Sequence, residues 1–261
     1  MAEKANRASK RHPQPPRLQR SREFVDFMPA VWFRYRYPFR LLGWLLEGHK
    51  FLREALVRAW PRAVRRELAV NERVVEIPFV LRALGLPPGS RVLDAGSRWS
   101  PLPLHLASLG YRTVATDLKP FPVQGGGLDF VIADLLHPPF RLGSFDGVVM
   151  VSTLEHVGIG FYDSSVDSDA DFDMMRALQL LLKPKGLLIL TVPFGRSAVG
   201  PLQRAYDGVR LRQVADGWIW EQAEFFVRRG NAWMRTNETS ASHEDSAIQT
   251  HAVALLVLRR P

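Results

Sequence analysis

From residue 71 onward the chain alternates between helix-period segments and short apolar runs, and that alternation narrows the fold more than any other feature. Helix-period segments are read at 72–84, from Leu102 to Leu109 and from Phe172 to Leu182. Apolar runs stand at Arg91–Asp94, Thr113–Thr116, Phe130–Ile132, Gly147–Val151 and Gly186–Val192, with a late one at Ala252–Leu258. Runs this short, bounded by turn residues such as Pro87-Pro88-Gly89, read as strands rather than helices. Strands separated by helices predict βαβ units, and so a parallel sheet covered by helices on both faces. No internal repeat is evident.

The 261 residues suffice for one large α/β domain with an extension. An apolar fraction of 46%, with 15 Phe and 7 Trp, supplies a sizeable core and excludes a disordered chain. The chain has no cysteine, which excludes disulfides, thiolate metal sites and a cysteine nucleophile. The net charge of +9 is unevenly placed: residues 1–66 hold 16 Lys/Arg against 5 Asp/Glu, and residues 67–261 hold 19 against 21. Basicity therefore belongs to an N-terminal appendage and not to a charged face of the main domain, which argues against nucleic acid as a partner. Residues 1–22 read as a disordered basic tail without a secretory leader, and 23–70 as a helical aromatic and basic extension. Within it Leu41, Leu42, Leu45, Leu52, Ala55, Leu56 and Trp60 fall near helical spacing with arginines between them. Three uses are open: a cap over the substrate side of a main domain at 71–261, peripheral contact of residues 23–66 with anionic lipid, or a nucleic-acid or protein partner. No uncharged apolar stretch is long enough to span a bilayer, so the expected location is cytoplasmic, at most at a membrane surface.

The first strand ends in an acid, Asp94, and turns through Gly96 into a helix; the next strand ends in a second acid, Asp117. In doubly wound sheets, ligands bind beyond the carboxyl ends of the strands, where the strand order reverses. A glycine there lets backbone approach a ligand closely. An acid after the second strand can accept both hydroxyls of a ribose.

These residues resemble those of class I S-adenosylmethionine-dependent methyltransferases. Val92-Leu93-Asp94-Ala95-Gly96-Ser97 is similar to the front half of that family's first motif, FDGVVMVSTLEHVG to its fourth-strand motif, and LLLKPKGLLILTVPFG to the helix, turn and strand that follow. The runs EHVGIGFY and TVPFG further resemble bacterial methyltransferase-like proteins of the DUF268 type. The resemblance implies a Rossmann-like doubly wound sheet of seven strands whose last strand is antiparallel, and S-adenosylmethionine as cofactor. It places Asp94, Ala95, Gly96 and Ser97 around the methionine part, Asp117 and Leu118 at the ribose, Asp134 and Leu135 at the adenine, and Ser152 at the fourth-strand end. Where the family has its second glycine this chain has Arg98, and Ser100 stands where a third would be. The implied activity is methyl transfer to a small-molecule, sugar or lipid-linked acceptor, most naturally at oxygen. The alternative that Arg98 motivates is a degenerate cofactor-binding protein acting through partners.

A nicotinamide enzyme shares the acid after strand two, but the chain has no G-x-G-x-x-G after strand one. An RNA base methyltransferase would carry an N-P-P-Y type motif where Ser152-Thr153-Leu154-Glu155 stands. Methyl transfer asks mainly for in-line positioning, with a base for a hydroxyl acceptor. His156, with Glu155 beside it, is the candidate; both residues could equally do no more than shape the pocket. Asp163, Asp167, Asp169, Asp171 and Asp173 alternate in the manner of a calcium loop, yet Phe172 and Leu178 occupy its glycine and bidentate-acid positions, so no metal is expected. Carboxylates ahead of a helix are expected as caps and dipole partners. Trp218, Trp220, Phe225, Phe226 and Trp233 are read mostly as core or hairpin packing, with an acceptor-pocket wall open for a few of them.

Overall fold

The structure is a computed structural model that describes residues 30–36, 49–59, 65–98, 100–120, 127–160 and 166–261. Strands β1 (Val31–Arg36) and β2 (Arg65–Val70) pair antiparallel, with helix α1 (Lys50–Ala59) between them in sequence. Helix α2 (Arg73–Ala83) leads into β3 (Arg91–Ala95), α3 (Leu102–Ser108), β4 (Arg112–Asp117), β5 (Leu128–Ile132) and β6 (Phe145–Val151). A single 3-10 turn, Leu154–His156, precedes α4 (Ala170–Leu181) and the long β7 (Leu182–Pro193). The chain ends through β8 (Ala198–Val199), β9 (Arg204–Ala205), α5 (Gly208–Val214), β10 (Ile219–Arg229), β11 (Ala232–Thr236), α6 (Glu238–Ala241) and β12 (Ala252–Arg259).

One sheet dominates, in the order β11-β10-β12-β7-β6-β3-β4-β5. Strands β3 to β7 run parallel, and β12 inserts antiparallel between β7 and β10. This is the Rossmann-like arrangement with an antiparallel last strand. It has eight strands rather than seven, because the hairpin partner β11 extends the β10 edge. The order reverses at β3, which has β4 on one side and β6 on the other, so the switch point lies at the end of the RVLDA strand.

The central strands carry near-continuous apolar runs because both faces are covered. Their period of two sends alternate side chains to opposite layers. Leu93, Val148, Met150, Leu188, Leu190, Ala254 and Leu256 pack with Met174, Met175, Leu178 and Leu181 of α4 and Leu211 and Val214 of α5. Val92, Val149, Val151, Ile189, Val253 and Leu255 pack on the other face with Phe79 and Val80 of α2 and Leu102 and Leu106 of α3. Helix α3, which crosses from β3 to β4, therefore lies on the opposite face from α4, which crosses from β6 to β7. The sheet's carboxyl edge is left open between the two helical layers.

The expected tail at 1–22 and the apolar positions Leu41, Leu42, Leu45 and Trp60 lie outside the described residues. In the described part of the extension, α1 covers Leu52, Ala55 and Leu56, while strands occupy 31–36 and 65–70. Among the described residues no helix is long and apolar enough to cross a membrane.

Candidate functional site

A cavity of about 460 Å³ opens at the switch point, beyond the carboxyl ends of β3, β4, β5 and β6. Six of the nine residues expected at a cofactor line it: Gly96, Asp117, Leu118, Asp134, Leu135 and Ser152. Glu155 and His156 line it as well. Asp94, Ala95 and Ser97 do not; they are buried behind its wall, where the Ser97 hydroxyl donates to the Thr116 carbonyl at 3.3 Å.

Each strand end fixes its acid through backbone amides. The Asp117 carboxylate accepts from the Arg98 N–H at 3.2 Å and the Lys119 N–H at 3.1 Å, one on each oxygen, and both oxygens keep lone-pair capacity. Asp134 accepts from the Leu136 N–H at 2.9 Å. Gly96 has φ +86°, and a Cβ there would stand 2.3 Å from Thr153 Cγ2. The glycine is required by the crossing of the β6 loop, a different reason from the close ligand approach expected from sequence. Arg98 and Ser100, at the family's remaining glycine positions, line the cavity, and Ser100 Oγ accepts from the Leu102 N–H at the start of α3.

The start of α2 supplies a part of the wall that sequence reasoning missed. Glu72 and Arg73 line the cavity, and Arg73 pairs with the fully buried Glu76 at 2.7 Å. One Glu76 oxygen accepts from the hydroxyls of Ser152 and Thr191, each at 2.7 Å. Ser152 is held at φ +44°, a region that costs a non-glycine residue about 1–3 kcal/mol. Its N–H donates to both the carbonyl and the hydroxyl of Thr191, so surrounding bonds hold the strained conformation. Glu76 thus ties α2 to the ends of β6 and β7. The only sequence signal was an acid set among Val75, Ile77 and Phe79 on a helix that buries one face.

The wall carries more acid than base. Burial opposes the charge of Arg73, but the carboxylates of Glu76, Glu72 and Glu155 outweigh it and raise the pKa, while Arg73 in turn lowers that of Asp94. Burial pushes Asp94, 2% exposed, up to about 7. Burial likewise raises Glu155, 1% exposed, well above the usual carboxylate range, and raises Glu72 together with the charge of Glu76. Asp94 Oδ2 and Glu155 Oε2 have no hydrogen-bond partner among the described residues. Two buried carboxyl oxygens, Glu155 at the cavity and Asp94 behind its wall, thus hold unmet hydrogen-bonding capacity.

His156 stands at the cavity with Nδ1 2.6 Å from the Leu202 carbonyl oxygen. That oxygen only accepts, so Nδ1 carries the proton and Nε2 the lone pair. Burial lowers the ring's pKa, which keeps the imidazole neutral at pH 7. Nε2 lies 3.9 Å from Glu155 Oε1. Tyr206 donates to the Leu154 carbonyl at 3.4 Å and to Asp171 at 3.0 Å, anchoring the 3-10 turn that carries both residues.

The acidic loop starts a helix and braces the core. Asp167 accepts from the Asp169 N–H, Asp171 is fully buried against Arg204 and Arg210, and Asp173 pairs with Arg176. Asp163 lies outside the described residues. Trp218 and Phe225 are buried in the α4 and α5 layer, as core packing requires.

A family model described as a Caenorhabditis protein of unknown function, DUF268, matches residues 140–260. No curated protein sequence matches the chain. Among solved structures, the chain is similar to a protein described as a SAM-dependent methyltransferase from Methanosarcina mazei, at 15% identity and TM-score 0.50, over 69% of this chain and 96% of that one. It is similar at 15% identity and TM-score 0.51 to the Burkholderia thailandensis 1,6-didemethyltoxoflavin-N1-methyltransferase solved with S-adenosylhomocysteine, over 91% and 98%. It is also similar at 16% identity and TM-score 0.52 to the [4+2]-cyclase SpnF, over 71% and 80%. At these identities the likeness is one of fold.

Proposed function

We propose that the protein is an S-adenosylmethionine-dependent methyltransferase acting on a small-molecule, sugar or lipid-linked acceptor, with oxygen as the methylated atom. The observation that carries this reading is the orphaned carboxyl oxygen of Glu155 in the cavity wall, with that of Asp94 buried behind it, adjoining strand-end acids on two neighbouring strands. A ligand that joins a cationic end to a ribose and a purine matches that order of groups. Nicotinamide dinucleotides bring a pyrophosphate, which an acidic wall repels.

Asp117 suits the ribose hydroxyls, since its carboxylate is held by two amides and retains acceptor capacity. Asp134 and Leu135 suit the purine edge. Gly96 and Arg98 flank the amino-acid end, with Arg98 offering a cation to its carboxylate, so the substitution at the family's second glycine is compatible with binding. Asp94 acts there through charge rather than contact, being buried behind Gly96. When bound, the cofactor supplies an electrophilic methyl group on a sulfonium. The chain's own contribution is to orient the acceptor, exclude water and take up its proton at His156 Nε2, the lone pair of which the Leu202 carbonyl fixes by holding the proton on Nδ1.

The second reading, a cofactor-binding protein without methyl transfer, draws on SpnF, described as a cyclase on a similar fold. Thermal unfolding tests the shared premise. S-adenosylhomocysteine at 100 times its Kd should stabilise the chain by about 2.7 kcal/mol, and NAD⁺ should leave the midpoint unchanged. No shift with S-adenosylhomocysteine would remove both readings. A shift without turnover on any acceptor would favour the second.

A further inference from the structure

Helix α1 turns an apolar face outward. Phe51 is 91% exposed and Leu52 58%, and Ala55 and Ala59 are exposed beside the partly exposed Leu56. At 100° per residue these five positions share one arc of about 140°. Lys50, Arg53, Glu54 and Arg58 fall on the remaining arc with one apolar residue, Val57, and Arg58 is exposed. Amphipathic helices of a folded domain normally bury the apolar arc, so this one is laid out for a partner outside the domain.

We propose that α1 docks on an anionic lipid surface, lying in the headgroup plane with Phe51 and Leu52 inserted. Charge decides between occupants. Residues 1–66, which contain α1, carry a balance of +11, so a second copy would bring like charge against like, whereas an anionic bilayer brings the opposite sign. A nucleic acid would meet the arginines and stack on Phe51, but it leaves the aliphatic Leu52 and Leu56 without an apolar partner. A ten-residue helix is about 15 Å long, half a bilayer's hydrocarbon thickness, so it rests at the interface and does not cross.

The placement also connects to the cavity. Helix α1 lies in sequence between the paired strands β1 and β2, whose open end is closed by the Asn71 N–H donating to the Ala30 carbonyl at 3.0 Å. The next two residues, Glu72 and Arg73, are cavity wall. The link runs through β2, whose six residues, about 20 Å of extended strand, lead from the α1 side of the pair to Asn71 at its other end. The docking itself is independent of the methyl-transfer reading, because its test reads vesicle binding alone.

Flotation of the full chain with phosphatidylcholine vesicles, and with vesicles containing about a third phosphatidylserine, is the experiment. Recovery with the anionic vesicles should exceed that with the neutral ones by about tenfold, and should fall as salt rises from about 0.1 to about 0.5 M. The double variant Phe51→Ser/Leu52→Ser, whose solvent-facing changes leave the melting temperature in place, should lose about tenfold in recovery. Equal recovery on both vesicles, or an undiminished variant, overturns the proposal. So does a dimer in sedimentation equilibrium that the double variant abolishes, since that makes a second copy the occupant.

Discussion

Replacing Asp94 by Asn separates what the site costs the fold from what it gives the ligand. In the folded chain burial raises this carboxyl from 3.8 to about 7. A group whose pKa is raised on folding binds its proton more tightly in the native state. Its unfavourable contribution is therefore absent below the unfolded pKa, grows as pH rises from about 4 to about 7, and is constant above. At about 1.4 kcal/mol per unit the penalty is about 1.5 kcal/mol at pH 5 and about 4 kcal/mol at pH 8. Asparagine keeps the shape and cannot ionise, so the variant escapes this penalty. Urea unfolding of both proteins at pH 5 and pH 8 gives the comparison. The amide's own burial cost is the same at both pH values and cancels in the difference. The variant's advantage should therefore grow by about 2–3 kcal/mol between them. The same variant should bind S-adenosylhomocysteine more weakly, having lost a negative charge from the wall. An advantage that does not change with pH would show that Asp94 is not strained by burial and would refute the reasoning.

Three further substitutions probe separate parts of the account. His156→Gln should lower kcat by about 100-fold while leaving the calorimetric affinity for S-adenosylhomocysteine unchanged; an unchanged rate removes the imidazole from the mechanism. Gly96→Ala places a Cβ 2.3 Å from Thr153 at φ +86° and should cost about 1–3 kcal/mol in urea unfolding, partly recovered by Thr153→Ala in the same chain. Glu76→Gln removes the ion-pair partner of Arg73 while keeping an acceptor for Ser152 and Thr191, and should cost about 3 kcal/mol in urea unfolding; a loss under about 1 kcal/mol would mean that Glu72 and Glu155 balance the guanidinium without it.

The acids at the ends of β3 and β4 were legible because a strand buried on both faces is a continuous apolar run, and the residue where it stops marks the sheet edge. β10 and β11 were not. Their stretch, IWEQAEFFVRRGNAWMRT, mixes aromatics with charges, because edge strand β11 and its neighbour β10 keep Glu221, Gln222 and Met234 in solvent. β2 was hidden in the same way, since RRELAV pairs only with β1 and reads as a continuation of basic helix. Glu76 could not have been found from local pattern. Its meaning comes from Thr191, 115 residues away. Gly96 was found for an incomplete reason, as its Cβ position is filled by Thr153 from the loop after β6. The depth of Asp94 is likewise a tertiary fact, one that turns a ligand contact into a charge behind the wall.

Isothermal titration of the full chain with S-adenosylmethionine at pH 6, in two buffers of different ionisation enthalpy, goes to the centre of this account. A cavity built around buried, proton-bearing carboxyl groups should bind the cation saturably and release close to one proton as Asp94 ionises, a release that fades by pH 8. No saturable heat in either buffer, or a heat indifferent to the buffer at pH 6, would contradict it.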